Sequence, residues 1–135
     1  MPPHHRAPDP RELRSALDAV AGWIDGAAPQ PPRPAVATAV RASLRTVERL
    51  APGQSVEVRV PPFGAVQCVE GPHHTRGTPP NVVETDAATW LALALGRRSW
   101  SDAVADGHLR VSGHRAGEIA RWLPVGHPPH SGDEP

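Results

Sequence analysis

The sequence predicts an α+β fold: an antiparallel-dominated sheet of four to five strands, covered by helices on one face. Three observations predict it. Two segments with helical apolar spacing precede any strand signal. Short alternating runs then cluster in mid-chain. Two capped apolar helices, a further alternating run and a last helical segment follow, giving the order ααβββααβα.

The first helix starts at Asp9, a good N-cap, with Pro10 in the first turn and Glu12 completing a capping box. Leu13, Leu17, Val20 and Ile24 then fall on one face, and Gly26 and the prolines after it stop the helix. The second helix covers Pro34 to Leu50, with Val36, Val40, Leu44 and Val47 as its buried stripe and "APGQ" as its break. In "SVEVRV", Val56, Val58 and Val60 alternate with Glu57 and Arg59, as in a strand with one wet face. "PPFG" is a turn and "AVQCVE" the return strand. "GPHHTRGTPP" is a loop, and "NVVET" is the third strand. Asp86 (or Thr85) caps a helix from Ala87 to Leu95, closed by Gly96. Ser99 and Asp102 cap a shorter helix ending at Gly107. "HLRVSG" alternates again, with Leu109 and Val111 toward the core. A last helix, about Ala116 to Leu123, brings Ile119, Trp122 and Leu123 to the body.

The 18 prolines and 12 glycines of the 135-residue chain set the boundaries. Residues 1–8 and 126–135 read as disordered tails and 26–34 as a Pro-rich linker, because they carry too little apolar surface to offset ordering entropy. Residues 9–125 make one domain.

Composition excludes several kinds of chemistry. The 14 basic and 14 acidic residues balance, and every basic residue is Arg. Lysine Schiff bases and the lysine of a phosphate-binding loop are excluded. The zero balance argues against a nucleic-acid binder. The single cysteine, Cys68, excludes an internal disulfide and suits a reducing cytoplasm. "MPPHHRAPDP" has no signal-peptide core, and the apolar run Trp90–Leu95 is too short for a membrane span. No Gly-x-Ser-x-Gly elbow or Gly-x-Gly-x-x-Gly loop is present, and Cys68 falls inside a strand with no activating neighbour, so no catalytic residue is assigned. The eight histidines show no zinc spacing; of them, four lie in the tails, His73 and His74 are adjacent, and His108 is on the wet side of its strand, which leaves only His114. No metal site is assigned. Arg41, Arg45 and Arg49 recur every four residues, either as a solvated face interrupted by Glu48 or as a contact for anionic lipid headgroups.

The stretch "VVETDAATWLALALGRRSWSDAVADGHLRVSG", residues 82–113, resembles the C-terminal half of the sterol carrier protein domain. It has that family's order: strand, acidic cap, apolar helix, Gly-Arg, short helix ending Ala-x-x-x-Gly, and strand ending in Gly. The preceding "RASLRTVERLAPGQSVEVRVPPFGAVQCVEGPHHTRGTPPNVVETD" looks like the family's actinobacterial branch, whose members stand alone or are fused to other domains. The likeness runs over about residues 11 to 124. One departure is visible. The family commonly has a further strand where this chain has "GPHHTRGTPP", whose three prolines cannot serve a central strand.

The resemblance implies an apolar tunnel between sheet and helices that binds a lipid, fatty-acyl or sterol-like molecule without a cofactor or a catalytic group. Burial of hydrocarbon, about 0.8 kcal/mol per methylene, would drive binding. On this reading Val60, Phe63, Val66, Trp90, Leu91, Leu95, Trp100, Val104 and Trp122 line the cavity, with His74 and Arg76 at its polar rim. The plainer reading has the apolar residues filling a core, Phe63 anchoring its turn, and Arg76 bracing its loop through Glu84 or backbone carbonyls. The chain would then be a structural or interaction module, or an accessory to the thiol-dependent isomerase-type enzymes to which relatives of this fold are attached. Oligomeric state stays open.

Overall fold

The computed structural model describes residues 6–71 and 81–125. The expected tails and the loop candidates His73, His74 and Arg76 fall wholly or mainly outside these residues.

Among the described residues, nine elements form in the expected order. Helix α1 spans Pro10–Ile24 and α2 spans Arg33–Leu50. Strands β1 (Val56–Val60), β2 (Gly64–Cys68) and β3 (Asn81–Thr85) follow. Helices α3 (Ala87–Ala94) and α4 (Trp100–Ala105), strand β4 (Leu109–Ser112) and a terminal helix α5 (Ala116–Trp122) complete the fold.

Local chemistry sets most of the boundaries. Asp9 accepts from the Glu12 N–H at 2.8 Å while the Glu12 carboxylate accepts from the Asp9 N–H at 2.9 Å, closing the capping box. Asp86 accepts from the Thr89 N–H to start α3, and Ser99 accepts from the Asp102 N–H to start α4. Gly96 and Gly107 end those helices with φ of +76° and +80°, a conformation that favours glycine.

The four strands lie in the order β2-β1-β3-β4. β1–β2 and β3–β4 are antiparallel, whereas the central pair β1–β3 is parallel, so antiparallel pairing dominates a mixed sheet. One face is wet. There Arg59 pairs with Glu57 at 2.7 Å, and Glu84 links Arg59 (3.9 Å) to Arg110 (3.0 Å) across three strands. The other face presents Val56, Val58, Val60, Val83 and Leu109 to the helices, all fully or almost fully buried. Leu13, Leu17 and Val20 of α1, Val36, Val40, Leu44 and Val47 of α2, and Trp90 and Leu91 of α3 complete the core.

Three local expectations are corrected. The return strand ends at Cys68, because Val69 turns to φ +71°. Its N–H donates to the Ala51 carbonyl at 2.6 Å, and its carbonyl accepts from the Ser55 N–H at 3.1 Å. These bonds hold a β-branched residue where it is rarely found, at a strain on the order of 1–3 kcal/mol. The last helix is 3₁₀, not α. Gly117 weakens the α form, and a three-residue repeat stacks Ala116, Ile119 and Trp122 on one side, toward the core. Val111 is 39 % exposed, because β4 is an edge strand that the helices leave partly uncovered.

Candidate ligand-binding region

The sheet–helix layer is closed around α3. Val60, Trp90 and Leu91 are fully buried. Trp90 spans the layer: its indole N–H donates to Ser43 Oγ at 2.8 Å, and the Ser43 hydroxyl donates on to the Ala39 carbonyl at 2.7 Å. Helices α2 and α3 are thereby joined through a satisfied polar link in apolar surroundings. Among the described residues, no buried side-chain nitrogen or oxygen lacks a partner. Interior polar groups are thus committed to the protein itself.

The other candidates separate. Phe63 sits half-buried in the β1–β2 turn, where the Arg33 guanidinium lies 5.1 Å above its ring and Arg41 Nε donates to its carbonyl at 2.8 Å. It therefore pins the turn to α2. Val66 lies in a shallow depression beside Arg45, Glu48 and Gln67. Trp100 lines a second, of about 310 Å³, with Leu93, Leu123 and Pro124. Trp122 lines a third, of about 490 Å³, under Arg121, whose guanidinium is 5.5 Å from the ring centre. Val104, expected inside, is 36 % exposed on α4.

Leu95 lies where α1 meets α3. It is half-buried at the end of α3, in a cleft of about 230 Å³ between α1 and α3. Leu13, Leu17, Ala94 and Val125 form the rest of its apolar wall, and the exposed Arg14, Asp18 and Arg97 surround its mouth. The Val125 N–H donates to the Ala94 carbonyl at 3.1 Å and holds the end of the described chain against α3. Arg97 Nε donates to Asp25 Oδ1 at 2.8 Å across the same boundary, tying the end of α1 to the α3–α4 turn. Leu13 and Leu17 were legible only as a helix stripe. Their place opposite Leu95 depends on how α1 packs.

A second cluster carries no signal in the sequence. Asn81 Nδ2 donates to the Ser55 carbonyl at 2.9 Å, and its Oδ1 accepts from the Arg115 N–H at 3.0 Å. The Arg115 side chain donates to the Glu70 carbonyl, Ser55 Oγ and Glu118. This network holds the ends of β1, β2 and β3 together. The hydrogen bond from Arg115 holds the Glu118 carboxyl below its ordinary value.

Cys68 is buried, and its thiol is pushed up to about 12, first by burial and then by the charge of Glu48. A thiolate nucleophile is strongly disfavoured there. Among the described residues, no three His, Cys, Asp or Glu side chains gather in a way that could hold a metal ion, and no helix is long and apolar enough to cross a membrane.

A family model described as "Bacterial SCP ortholog" matches residues 32–125, well over half of the chain. The match begins at the N-cap of α2, so α1 lies before it. No curated protein matches the chain. The match, over a fold in which helices cover one face of a mixed sheet, identifies the chain as a member of the sterol carrier protein family, among its bacterial orthologues.

Proposed function

We propose that the protein is a non-enzymatic binder or carrier of a lipid, fatty-acyl or sterol-like molecule, and that the ligand is admitted beneath α1. Membership of the sterol carrier protein family supports lipid binding in general terms. The observation that carries the site is the Leu13–Leu17–Leu95–Val125 cleft. Its volume of about 230 Å³ is below the ~300 Å³ at which pockets for drug-sized ligands begin, so full occupancy requires α1 to move outward. Apolar burial supplies the driving force, and the charged mouth orients a polar head. The Arg41–Arg45–Arg49 face meets anionic headgroups during transfer, and the working compartment is the cytoplasm.

The test is denaturing extraction of the purified protein and mass spectrometry, against a mock purification. A lipid present in stoichiometric amount is the expected result. An empty protein, even after incubation with a mixed lipid extract, would overturn the carrier reading. The closed packing around Trp90 favours a second reading, a filled-core interaction module, and an empty protein would select it.

A further inference from the structure

A large concavity lies neither in the sheet–helix layer nor beneath α1. It is a groove of about 920 Å³ on the outer surface, between α1 and α2. Between its charged walls it is lined by methyl and pyrrolidine surface, including Ala16, Ala19, Ala35 and Ala42, with the hydroxyls of Ser15 and Thr38 among them. Short side chains at these positions leave the groove open where larger ones would fill it. Its walls carry four arginines: Arg6 and Arg11 on the α1 side, Arg41 and Arg45 on α2.

The charge of this groove is one-sided in a chain whose net charge is zero. Glu12 is the one carboxylate in its lining, and that carboxylate already accepts from the Asp9 N–H in the capping box. Among the described residues, Arg11, Arg41 and Arg45 make no ion pair. Arg41 spends only its Nε, on the Phe63 carbonyl, so its terminal nitrogens remain available. By contrast, each guanidinium on the wet sheet face has a carboxylate partner. A planar guanidinium donates two parallel hydrogen bonds to a carboxylate or phosphate. The volume lies in the range of small-molecule sites, roughly 300–1,000 Å³.

We propose that this groove binds a single-chain anionic amphiphile: an alkyl chain along the alanine surface, with a carboxylate or phosphate head held by Arg11 and Arg45. The site requires no opening of the layer beneath α1 and does not depend on the carrier reading.

The test is an amide-resolved NMR titration of the full chain with dodecanoate and dodecyl phosphate, below the concentrations at which they form micelles. Dodecanol serves as a tail without charge, and inorganic phosphate as a head without a tail. Saturable shifts at Ala16, Ala19, Ala35 and Ala42 are expected with either charged amphiphile. The tighter of the two names the head chemistry. Dodecanol and inorganic phosphate should each bind at least about tenfold more weakly, since each lacks one half of the recognition. Arg11→Ala and Arg45→Ala should each weaken binding about tenfold. Arg110→Ala, on the wet face of the sheet, should leave it unchanged. Ala16→Leu, which fills the groove without altering charge, should also block binding.

Shifts confined to Leu13, Leu17, Leu95 and Val125 would overturn the groove site while leaving the carrier reading standing. No saturable shift anywhere would overturn the groove and count against the carrier reading as well. Equal binding of inorganic phosphate would reduce the groove to a charged patch and overturn the proposal. Binding to anionic vesicles without binding of the monomeric amphiphiles would likewise overturn it.

Discussion

The two sides of α3 differ in how completely they are closed. Toward the sheet, Trp90 and Leu91 are fully buried against β-strand valines, and the indole is hydrogen-bonded to Ser43. Toward α1, Leu95 is half-buried beside a cleft, and the boundary is held by an exposed ion pair between Asp25 and Arg97. A layer of fully buried side chains, whose buried polar side-chain atoms are all paired among the described residues, contributes stability. A boundary made of three buried side chains of α1, Leu13, Leu17 and Val20, and a solvent-screened ion pair can open at lower cost. Apolar residues of similar type serve both sides, so packing decides which side can exchange an internal contact for a ligand.

The largest effect should come from the closed side. Trp90→Ala removes a fully buried indole and leaves Ser43 without its donor, and should cost roughly 3–5 kcal/mol in denaturant unfolding. If the loss is under about 1 kcal/mol, the layer is not close-packed. Next, Leu17→Ala should cost about 2–3 kcal/mol and also weaken lipid uptake, because Leu17 serves both the core and the cleft wall. A stability loss with unchanged uptake would remove the cleft from the binding path.

Gly53→Ala tests the strained corner. Gly53 has φ +148°, and an added Cβ would overlap the Val69 carbonyl. A loss on the order of 1–3 kcal/mol is expected in thermal unfolding. Cys68 gives a pH dependence whose sign follows from its raised value. The native thiol keeps its proton up to about 12, whereas the unfolded thiol loses it near the ordinary 9.0. The native state therefore binds more protons in that window, and stability should fall as pH rises from 9 toward 12. Cys68→Ala should flatten this dependence, and the wild-type thiol should react with a thiol reagent only after unfolding. The smallest effect belongs to the α1 boundary: Arg97→Ala should cost no more than about 1 kcal/mol, since both partners are exposed and screened.

Much of the fold was legible because it is local. The Asp9–Glu12 box, the Asp86 and Ser99 caps, the stops at Gly96 and Gly107, and the Val56–Val58–Val60 alternation act within a few residues, and each lies where the chain pattern puts it. The expected sheet also stands, with its parallel central pair as the added feature. The left-handed turn at Val69 was hidden because its cause is distant, the close approach of Gly53 and Ala51. The candidate site was less legible for the same reason. An apolar stripe reads alike whether the space beside it is filled, as around Trp90, or partly open, as around Leu95. Leu13 and Leu17 become cleft residues, and Arg11 and Arg45 come to line one groove, only once α1 has docked on α2 and α3.

Amide hydrogen exchange of the full chain, with and without a mixed lipid extract, tests most directly whether the α1 boundary is the side that opens. Amides of α1 should exchange faster than those of the paired strands β1 and β3 in the lipid-free protein, and lipid should change protection at α1 and the end of α3 while leaving the strands unaltered. Exchange of α1 as slow as that of the central strands, with no response to lipid, would contradict the account.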